Sequence, residues 1–367
     1  MEKIISVVIK VTNGCNLNCK YCYDADNKQK TFIKKEQISK LFDILTENFE
    51  EIQVIWHGGE PLLMGIDFYR WVVEKEKSYN NIFHNHMQTN GILLNDEYAK
   101  FLVENNFHIG MSYDGGDEIS GRPLQDKTFE ARKLVIKYGG KCGFVNVVNA
   151  NNIDKLEDLY EFYKKENIGV NFNCVFPSGR IINEKNEDLL ISPQQFIDKM
   201  KILFEKWLLE DDTHNKIAPL NDYLNAYLGT CRKCLVNSCL FKWLCMDSFG
   251  NLHPCGRVLN EEFILGNIDE ITNFSEIYDN DAYKKLVEGA IKRRKKCKSC
   301  NVYKYCNSGC NSDALLYGNL EDNHHNACIV NKAMFTYTED AFDKIIKGEK
   351  ICNNKYIIKR LKEKYQF

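Results

Sequence analysis

Three cysteines fall within eight residues near the start of the chain, at Cys15, Cys19 and Cys22. This C-x3-C-x2-C spacing constrains the fold more than any other feature, because one looping backbone must turn three thiolates toward a common point. The loop follows directly on a strand-like run, residues 4–12. Thiolates are soft ligands that select iron–sulfur clusters or zinc. A closed structural site uses four protein ligands, so three leave a coordination position for a substrate or cofactor. A zinc knuckle that borrows a distant fourth ligand is the competing reading.

A chain of 367 residues buries a substantial core and predicts one large domain and one smaller. Its formal net charge of −2 gives no electrostatic footprint for nucleic acid. The apolar run in residues 1–10 is too short for a signal-peptide core, and no segment approaches the ~20 apolar residues of a membrane span. The expected setting is cytoplasmic, with neither a membrane nor a nucleic-acid partner. Reducing compartments keep thiols from pairing, so sixteen cysteines point to metal rather than to a disulfide framework. Cys142, Cys174 and Cys352 stand apart and read, with Cys245, as small core residues.

Residues 1–177 hold six strand-like runs, 4–12, 52–57, 85–89, 108–113, 143–149 and 170–176. They alternate with amphipathic stretches such as 35–49 and 95–105, a pattern that predicts a parallel sheet with crossover helices. Parallel barrels carry their chemistry at the C-terminal ends of the strands. The second run ends in Trp56-His57-Gly58-Gly59-Glu60-Pro61, where adjacent glycines let a backbone approach a ligand closely. The third ends in Gln88-Thr89-Asn90-Gly91, the fourth in Ser112-Tyr113-Asp114-Gly115 and the fifth at Asn149. Plain turn chemistry is the alternative for each. His57 reads as a satisfied structural histidine. Residues 178–191 read as an irregular connection that lines a cleft, after which Ser192-Pro193 caps a helix reaching residue 210.

The second cysteine group runs Cys231, Cys234, Cys239, Cys245, Cys255, then Cys297-x2-Cys300-x5-Cys306-x3-Cys310, then Cys328. Asp247-Ser248-Phe249-Gly250 reads as a hairpin turn that folds Cys255 back. Positions 292–298 carry six basic residues in seven, which predicts a solvated face, with charge compensation of a nearby cluster as the alternative. The basic tail 347–367 places Ile357, Ile358 and Leu361 at helical spacing, either to dock on the body or to hold a peptide.

C-x3-C-x-aromatic-C, with Tyr21 as the aromatic, resembles the signature of the radical S-adenosylmethionine (SAM) superfamily. The later cysteines resemble the SPASM extension of its peptide-modifying members, and together the resemblance spans residues 4–330. It implies an α/β fold: a partial (β/α)6 TIM-like barrel over residues 1–180, then a connecting helical segment over 181–230. A cysteine-rich iron–sulfur SPASM domain over 231–346 and the basic tail 347–367 complete the expected division. The resemblance further implies a [4Fe–4S] cluster on Cys15, Cys19 and Cys22 whose open iron is chelated by SAM. SAM cleavage then gives a 5′-deoxyadenosyl radical that abstracts hydrogen. The SAM contacts it implies are Tyr21, the Gly58-Gly59-Glu60 motif, Gln88, Thr89, Ser112 at the ribose, Arg122 at the carboxylate, and Asn149. Two auxiliary [4Fe–4S] clusters follow, making three. The first takes Cys234, Cys239, Cys255 and Cys310, with Cys245 or Cys231 as alternatives to Cys234. The second takes Cys297, Cys300, Cys306 and Cys328.

The expected enzyme modifies a ribosomally made precursor peptide, closing a thioether or carbon–carbon link, with a flavodoxin or ferredoxin as electron donor. Few residues precede the first strand, so leader recognition is expected from the barrel, the SPASM region or a separate protein. The rival within the family is an anaerobic sulfatase maturase, which oxidises cysteine or serine to formylglycine. The rival outside it is an iron–sulfur electron carrier or sensor without SAM chemistry. Sulfatase maturases carry an aspartate directly after the cysteine that ends the hairpin, proposed to take the substrate proton. Here Cys255 is followed by Gly256 and Arg257. A general base must come within hydrogen-bonding distance of its proton. Asp247 lies across the turn, and His253, two residues from Cys255, shares its strand face. No catalytic base is assigned.

Overall fold

The computed structural model describes residues 3–24, 29–211, 217–231, 233–234, 239–322 and 324–365. The extreme ends of the expected first and last segments, 1–2 and 366–367, lie outside the described residues. The chain divides into two compact units. The first comprises Met1–Val145, Ser178–Asn186 and Cys239–Glu288; the second comprises Asn146–Pro177, Glu187–Ser238 and Gly289–Phe367. The units interleave along the sequence, so the cysteine hairpin falls with the early strands and not with the cysteines that follow it.

Ten strands occur among the described residues: β1 (Ile4–Lys10), β2 (Glu51–His57), β3 (Ile82–Thr89), β4 (His108–Ser112), β5 (Cys142–Val148), β6 (Val170–Cys174), β7 (Ile217–Ala218), β8 (Trp243–Met246), β9 (Asn251–His253) and β10 (Gly266–Asn267). In the first unit β1 to β5 pair in parallel in sequence order, as the alternation predicted. The sheet alternates cleanly: Ile5, Val7 and Ile9 are fully buried on one face, while Ser6, Val8 and Lys10 line the other. The helix Lys35–Thr46 covers the first face with Ile38, Leu41, Phe42 and Leu45, the spacing of one apolar stripe. Trp56 is fully buried among Phe68 and Tyr69, and its indole N–H donates to Asn85 Oδ1 at 2.7 Å.

One pairing had no sequence signal. β8 adds to the open edge of β1 in parallel, setting Ser6 opposite Trp243 and Val8 opposite Cys245, and β9 turns back antiparallel to it. A four-residue strand carries too little pattern to name its partner. The hairpin turn at Gly250 is formed as expected, with Gly250 N donating to Asp247 O at 3.0 Å. The irregular connection expected over 178–191 is instead partly ordered, with a short helix Arg180–Asn183 and a 3-10 turn Glu187–Leu189.

In the second unit β6 pairs β7, and Val175 N donates to Val148 O at 2.8 Å. The helix Pro193–Leu209 starts at Ser192 with a reciprocal cap to Gln195, as predicted. It packs along the helix Asn326–Ile346 through Phe204 against Phe342, ring centres 5.5 Å apart. The basic tail docks here as the helix Lys355–Tyr365, burying Ile357 and Leu361 completely. Asn354 Nδ2 donates to Trp207 O at 2.9 Å, and Arg360 reaches Thr230 Oγ1 at 3.0 Å. Within the basic run, Lys292 meets Glu321 at 2.9 Å on a solvated face, but Arg293 departs from that expectation. It is 1% exposed, and its guanidinium donates to Ser308 O (3.0 Å), Leu320 O and Asn311 Oδ1. A planar five-donor fork suits such internal carbonyl binding. Among the described residues no helix is long and apolar enough to cross a membrane.

Candidate functional site

The loop leaving β1 carries Cys15, Cys19 and Cys22, with Cys19 buried and the other two half-buried. Burial pushes all three thiols up, Cys19 to about 11, and Cys22 adds its field at both Cys15 and Cys19. The three thiols are close enough for Cys22 to act on both Cys15 and Cys19, but among the described residues no group of three or more cysteine, histidine or carboxylate side chains is set to hold a metal ion. All sixteen cysteines are thiols and none is in a disulfide.

Gly58 and Gly59 give their space to this loop's own backbone. A Cβ on Gly58, whose φ is +117°, would lie 2.3 Å from Thr12 O; one on Gly59 would lie 2.0 Å from Gly14 O. The close approach lets Gly59 N donate to Thr12 O at 2.7 Å and Glu60 N to Gly14 O at 2.9 Å. Glu60 is 1% exposed and its carboxylate is shared inward. Oε1 accepts from Thr89 Oγ1 (2.6 Å) and Leu62 N (3.0 Å), and Oε2 accepts from Asn90 N (2.8 Å). Burial raises its pKa against those three bonds. Asn90 in turn donates to Asn16 Oδ1 at 2.8 Å. Glu60 and Thr89 are therefore joints that tie the ends of β2 and β3 to the cysteine loop.

Gln88 and Ser112 are brought together on the face that also carries Lys10 and His57. Gln88 Nε2 donates to Ser112 Oγ at 2.9 Å, and Gly110 leaves room for the amide, since a Cβ there would lie 2.6 Å from Gln88 Oε1. His57 Nδ1 accepts from Gly58 N at 2.8 Å. Burial, then Lys10, lowers its pKa to about 4, so it is a neutral, satisfied histidine, as read from the sequence. Lys10 was missed. It is 4% exposed and ion-pairs with Asp24, with its Nζ 5.0 Å over the Tyr23 ring. Burial opposes its charge, but Asp24 and its other neighbours outweigh that and hold the pKa above the ordinary lysine value. A lysine ending an apolar strand on the face of Ser6 and Val8 was the available signal.

Tyr21 donates its hydroxyl to Asp114 Oδ2, and Arg122 Nε donates to the same oxygen at 3.0 Å. The segment Ser178–Asn186 closes over the loop from another side. Arg180 N donates to Cys22 O at 3.0 Å, Asn186 Nδ2 to Lys20 O at 3.0 Å, and a Cβ on Gly179 would meet Cys22 O at 2.3 Å. Asn149 lies in the other unit, fully buried at the end of β5. Its Oδ1 accepts from Asn151 N (2.9 Å) and its Nδ2 donates to Val147 O (3.2 Å), an Asx turn of its own.

In the second unit Cys297, Cys300, Cys306 and Cys328 line one cavity with His325 and Asn331. Burial pushes Cys306 up to about 12, with Cys328, Cys297 and Cys300 adding to the rise. Asn331 Nδ2 lies 3.7 Å from Cys306 Sγ, and His325 Nδ1 accepts from Cys328 N at 3.2 Å as the helix cap. Cys310 is outside that lining and heads the helix Asn311–Tyr317. Cys231 and Cys234 also belong to this unit, whereas Cys239, Cys245 and Cys255 belong to the first. Cys245 is fully buried in β8 opposite Val8, and Cys142 is 6% exposed, but Cys174 and Cys352 are only half-buried and are not core residues. Beyond Cys255, whose Sγ accepts from Arg257 N at 3.4 Å, a Cβ on Gly256 would lie 3.1 Å from Val8 Cγ1. His253, 2% exposed, pairs with Asp247 Oδ2 at 3.2 Å.

Residues 9–163 match the family model of the radical SAM superfamily. The cysteine-type anaerobic sulfatase-maturating enzyme of Clostridium novyi is 31% identical over 333 residues, covering 84% of this chain and 88% of that protein. Among solved structures, the anaerobic sulfatase-maturating enzyme anSMEcpe with bound AdoMet superposes with a TM-score of 0.80 at 24% identity, covering 94% of this chain and 98% of that one. Streptococcus suis SuiB bound to the precursor peptide SuiA superposes with a TM-score of 0.62 at 15% identity, covering 88% and 75%. The chain belongs to the radical SAM superfamily, as an enzyme related to the anaerobic sulfatase maturases that modifies a peptide or protein.

Proposed function

We propose that this enzyme forms a thioether or carbon–carbon link in a ribosomally made precursor peptide, in the cytoplasm, and does not make formylglycine. Gly256 carries the choice. The position after Cys255 has no proton-accepting side chain, and a Cβ there would press on Val8 Cγ1 at 3.1 Å. The nearest alternatives are committed: Asp247 and His253 hold each other, and interactions with His253 and the turn backbone keep Asp247 below the usual carboxylate range despite burial. A general base must come within hydrogen-bonding reach of the substrate proton. The 31% relationship to a sulfatase-maturating enzyme favours the second reading, formylglycine formation.

In this reading Cys15, Cys19 and Cys22 hold a [4Fe–4S] cluster that, with SAM bound, supplies the one-electron chemistry for C–H cleavage. Gly58, Gly59, Glu60 and Thr89 fix the loop that carries those thiolates, and Gln88 with Ser112 offers polar contacts on the same sheet face. Cys297, Cys300, Cys306 and Cys328, which line one cavity, hold an auxiliary cluster. A flavodoxin or ferredoxin supplies electrons. The test is co-expression with a short peptide encoded beside this chain, followed by mass spectrometry. Loss of two hydrogens per link with sulfur retained supports the proposal; an unchanged peptide together with a converted sulfatase peptide rejects it.

A further inference from the structure

Arg122, expected at the SAM carboxylate, has a side chain that is already engaged. Its Nε donates to Asp114 Oδ2 at 3.0 Å, and its guanidinium carbon lies 5.4 Å from the centre of the Tyr21 ring. Tyr21 donates its hydroxyl to that same Asp114 oxygen, between two of the loop cysteines in sequence. The Asp114 side chain is fully buried and that of Arg122 is 12% exposed. The backbone fixes both partners: Asp114 N donates to Gln125 Oε1 at 2.6 Å, and Lys20 N donates to Gly121 O at 3.0 Å. Ser120 Oγ accepts from Arg122 N and donates to Arg122 O, both at 3.0 Å.

The pair also sits against the cysteine loop: the Tyr21 ring under the guanidinium lies between Cys19 and Cys22 in sequence, and the Lys20 N to Gly121 O bond ties the loop to the residue before Arg122. A cluster gains negative charge on reduction, so a fixed neighbouring cation stabilises the reduced form more than the oxidised one.

We propose that Arg122, held by Asp114 and stacked on Tyr21, is a positioning residue that raises the reduction potential of the cluster on Cys15, Cys19 and Cys22. The proposal rests on the reading that these thiolates hold a [4Fe–4S] cluster. Lysine keeps the charge but lacks the planar face and the fixed fork, so it restores the effect only in part.

The experiment is a redox titration, followed by electron paramagnetic resonance, of the reconstituted full chain without SAM. The cluster is identified as the signal present in the wild type and absent from C19A. R122Q is expected to lower the reduction equilibrium constant about tenfold, or about 59 mV for a one-electron couple. R122K should recover part of that shift, and D114N should move the potential the other way. Opposite signs in R122Q and D114N separate charge from loosened packing, which would move both alike. A potential within twofold of wild type in R122Q, with a raised Kd for SAM, makes Arg122 a cofactor ligand and overturns the proposal. Should R122Q not take up iron, an unshifted potential in D114N overturns it equally. Absence of the C19A-sensitive signal from the wild type removes the cluster reading itself and leaves nothing for Arg122 to tune.

Discussion

Replacing Gly59 by alanine tests the close approach on which the thiol site depends. The added Cβ would lie 2.0 Å from Gly14 O, 2.5 Å from Gly14 C and 3.0 Å from Asn13 O, all of them backbone atoms with no rotamer to escape into. The loop must move by more than an ångström to reach van der Waals distance. That movement breaks the bonds from Gly59 N to Thr12 O and from Glu60 N to Gly14 O. A buried donor left without an acceptor costs about 1–3 kcal/mol, so the two together cost about 4 kcal/mol. Gly14→Ala is the control in the same loop: its nearest atoms at 3.3 Å are Lys30 Cδ and Thr12 Oγ1, and Lys30 is a flexible side chain. Urea unfolding of the purified chain and iron analysis after anaerobic reconstitution are the assays. G59A should lose about 4 kcal/mol and one cluster's iron, while G14A should lose under about 1 kcal/mol. Equal stability and iron content in the two variants would refute the reasoning.

Alanine at Cys15, Cys19 or Cys22 should remove about four irons per chain and all SAM cleavage, with the auxiliary signals retained; SAM turnover in any of the three would contradict the ligand assignment. Replacing Cys306 and Cys310 singly should remove spectroscopically different clusters, because Cys306 lines the cavity of Cys297, Cys300 and Cys328 and Cys310 does not; identical difference spectra would place both on one cluster. Glu76 gives a pH test. Burial raises its carboxyl pKa from 4.5 to about 7, against a 2.8 Å bond from Asn85. The folded state therefore holds a proton that the unfolded chain releases, a contribution present below pH 4.5 and lost as pH rises through about 7. E76Q should gain on the wild type from about pH 5 to about pH 8, by up to about 3 kcal/mol; a pH-independent difference would show the carboxyl to be unperturbed.

The early strands were legible from their alternation with amphipathic stretches and from the polar residues at their ends, as at Gln88-Thr89 and Ser112. The helix start at Ser192-Pro193 was legible for a local reason, a cap and a proline in adjacent positions. What escaped was long-range. Nothing in Trp243–Met246 announces that it will pair with β1, nor in Ser178–Asn186 that it will clamp Cys22 O. Arg293 was hidden inside a basic run whose lysines face solvent, since charge patterning cannot show which of several cations turns inward. Gly58 and Gly59 were recognised as a close approach, but the partner is the backbone of the cysteine loop at 2.3 and 2.0 Å, which a sequence motif does not reveal. The engagement of Arg122 with Asp114 was equally invisible, because eight residues and a turn at Gly121 separate them.

The central claim is that this radical SAM enzyme links residues of a precursor peptide and lacks the base for formylglycine formation. One anaerobic reaction tests it: the reconstituted chain with SAM, a reductant, the peptide encoded beside it and a sulfatase-type C-x-P-x-R peptide, read by mass spectrometry. The account predicts 5′-deoxyadenosine together with loss of two hydrogens per link in the first peptide, and no change in the second. Conversion of the second peptide's cysteine to formylglycine at the rate of SAM cleavage, with the first peptide unchanged, would contradict it.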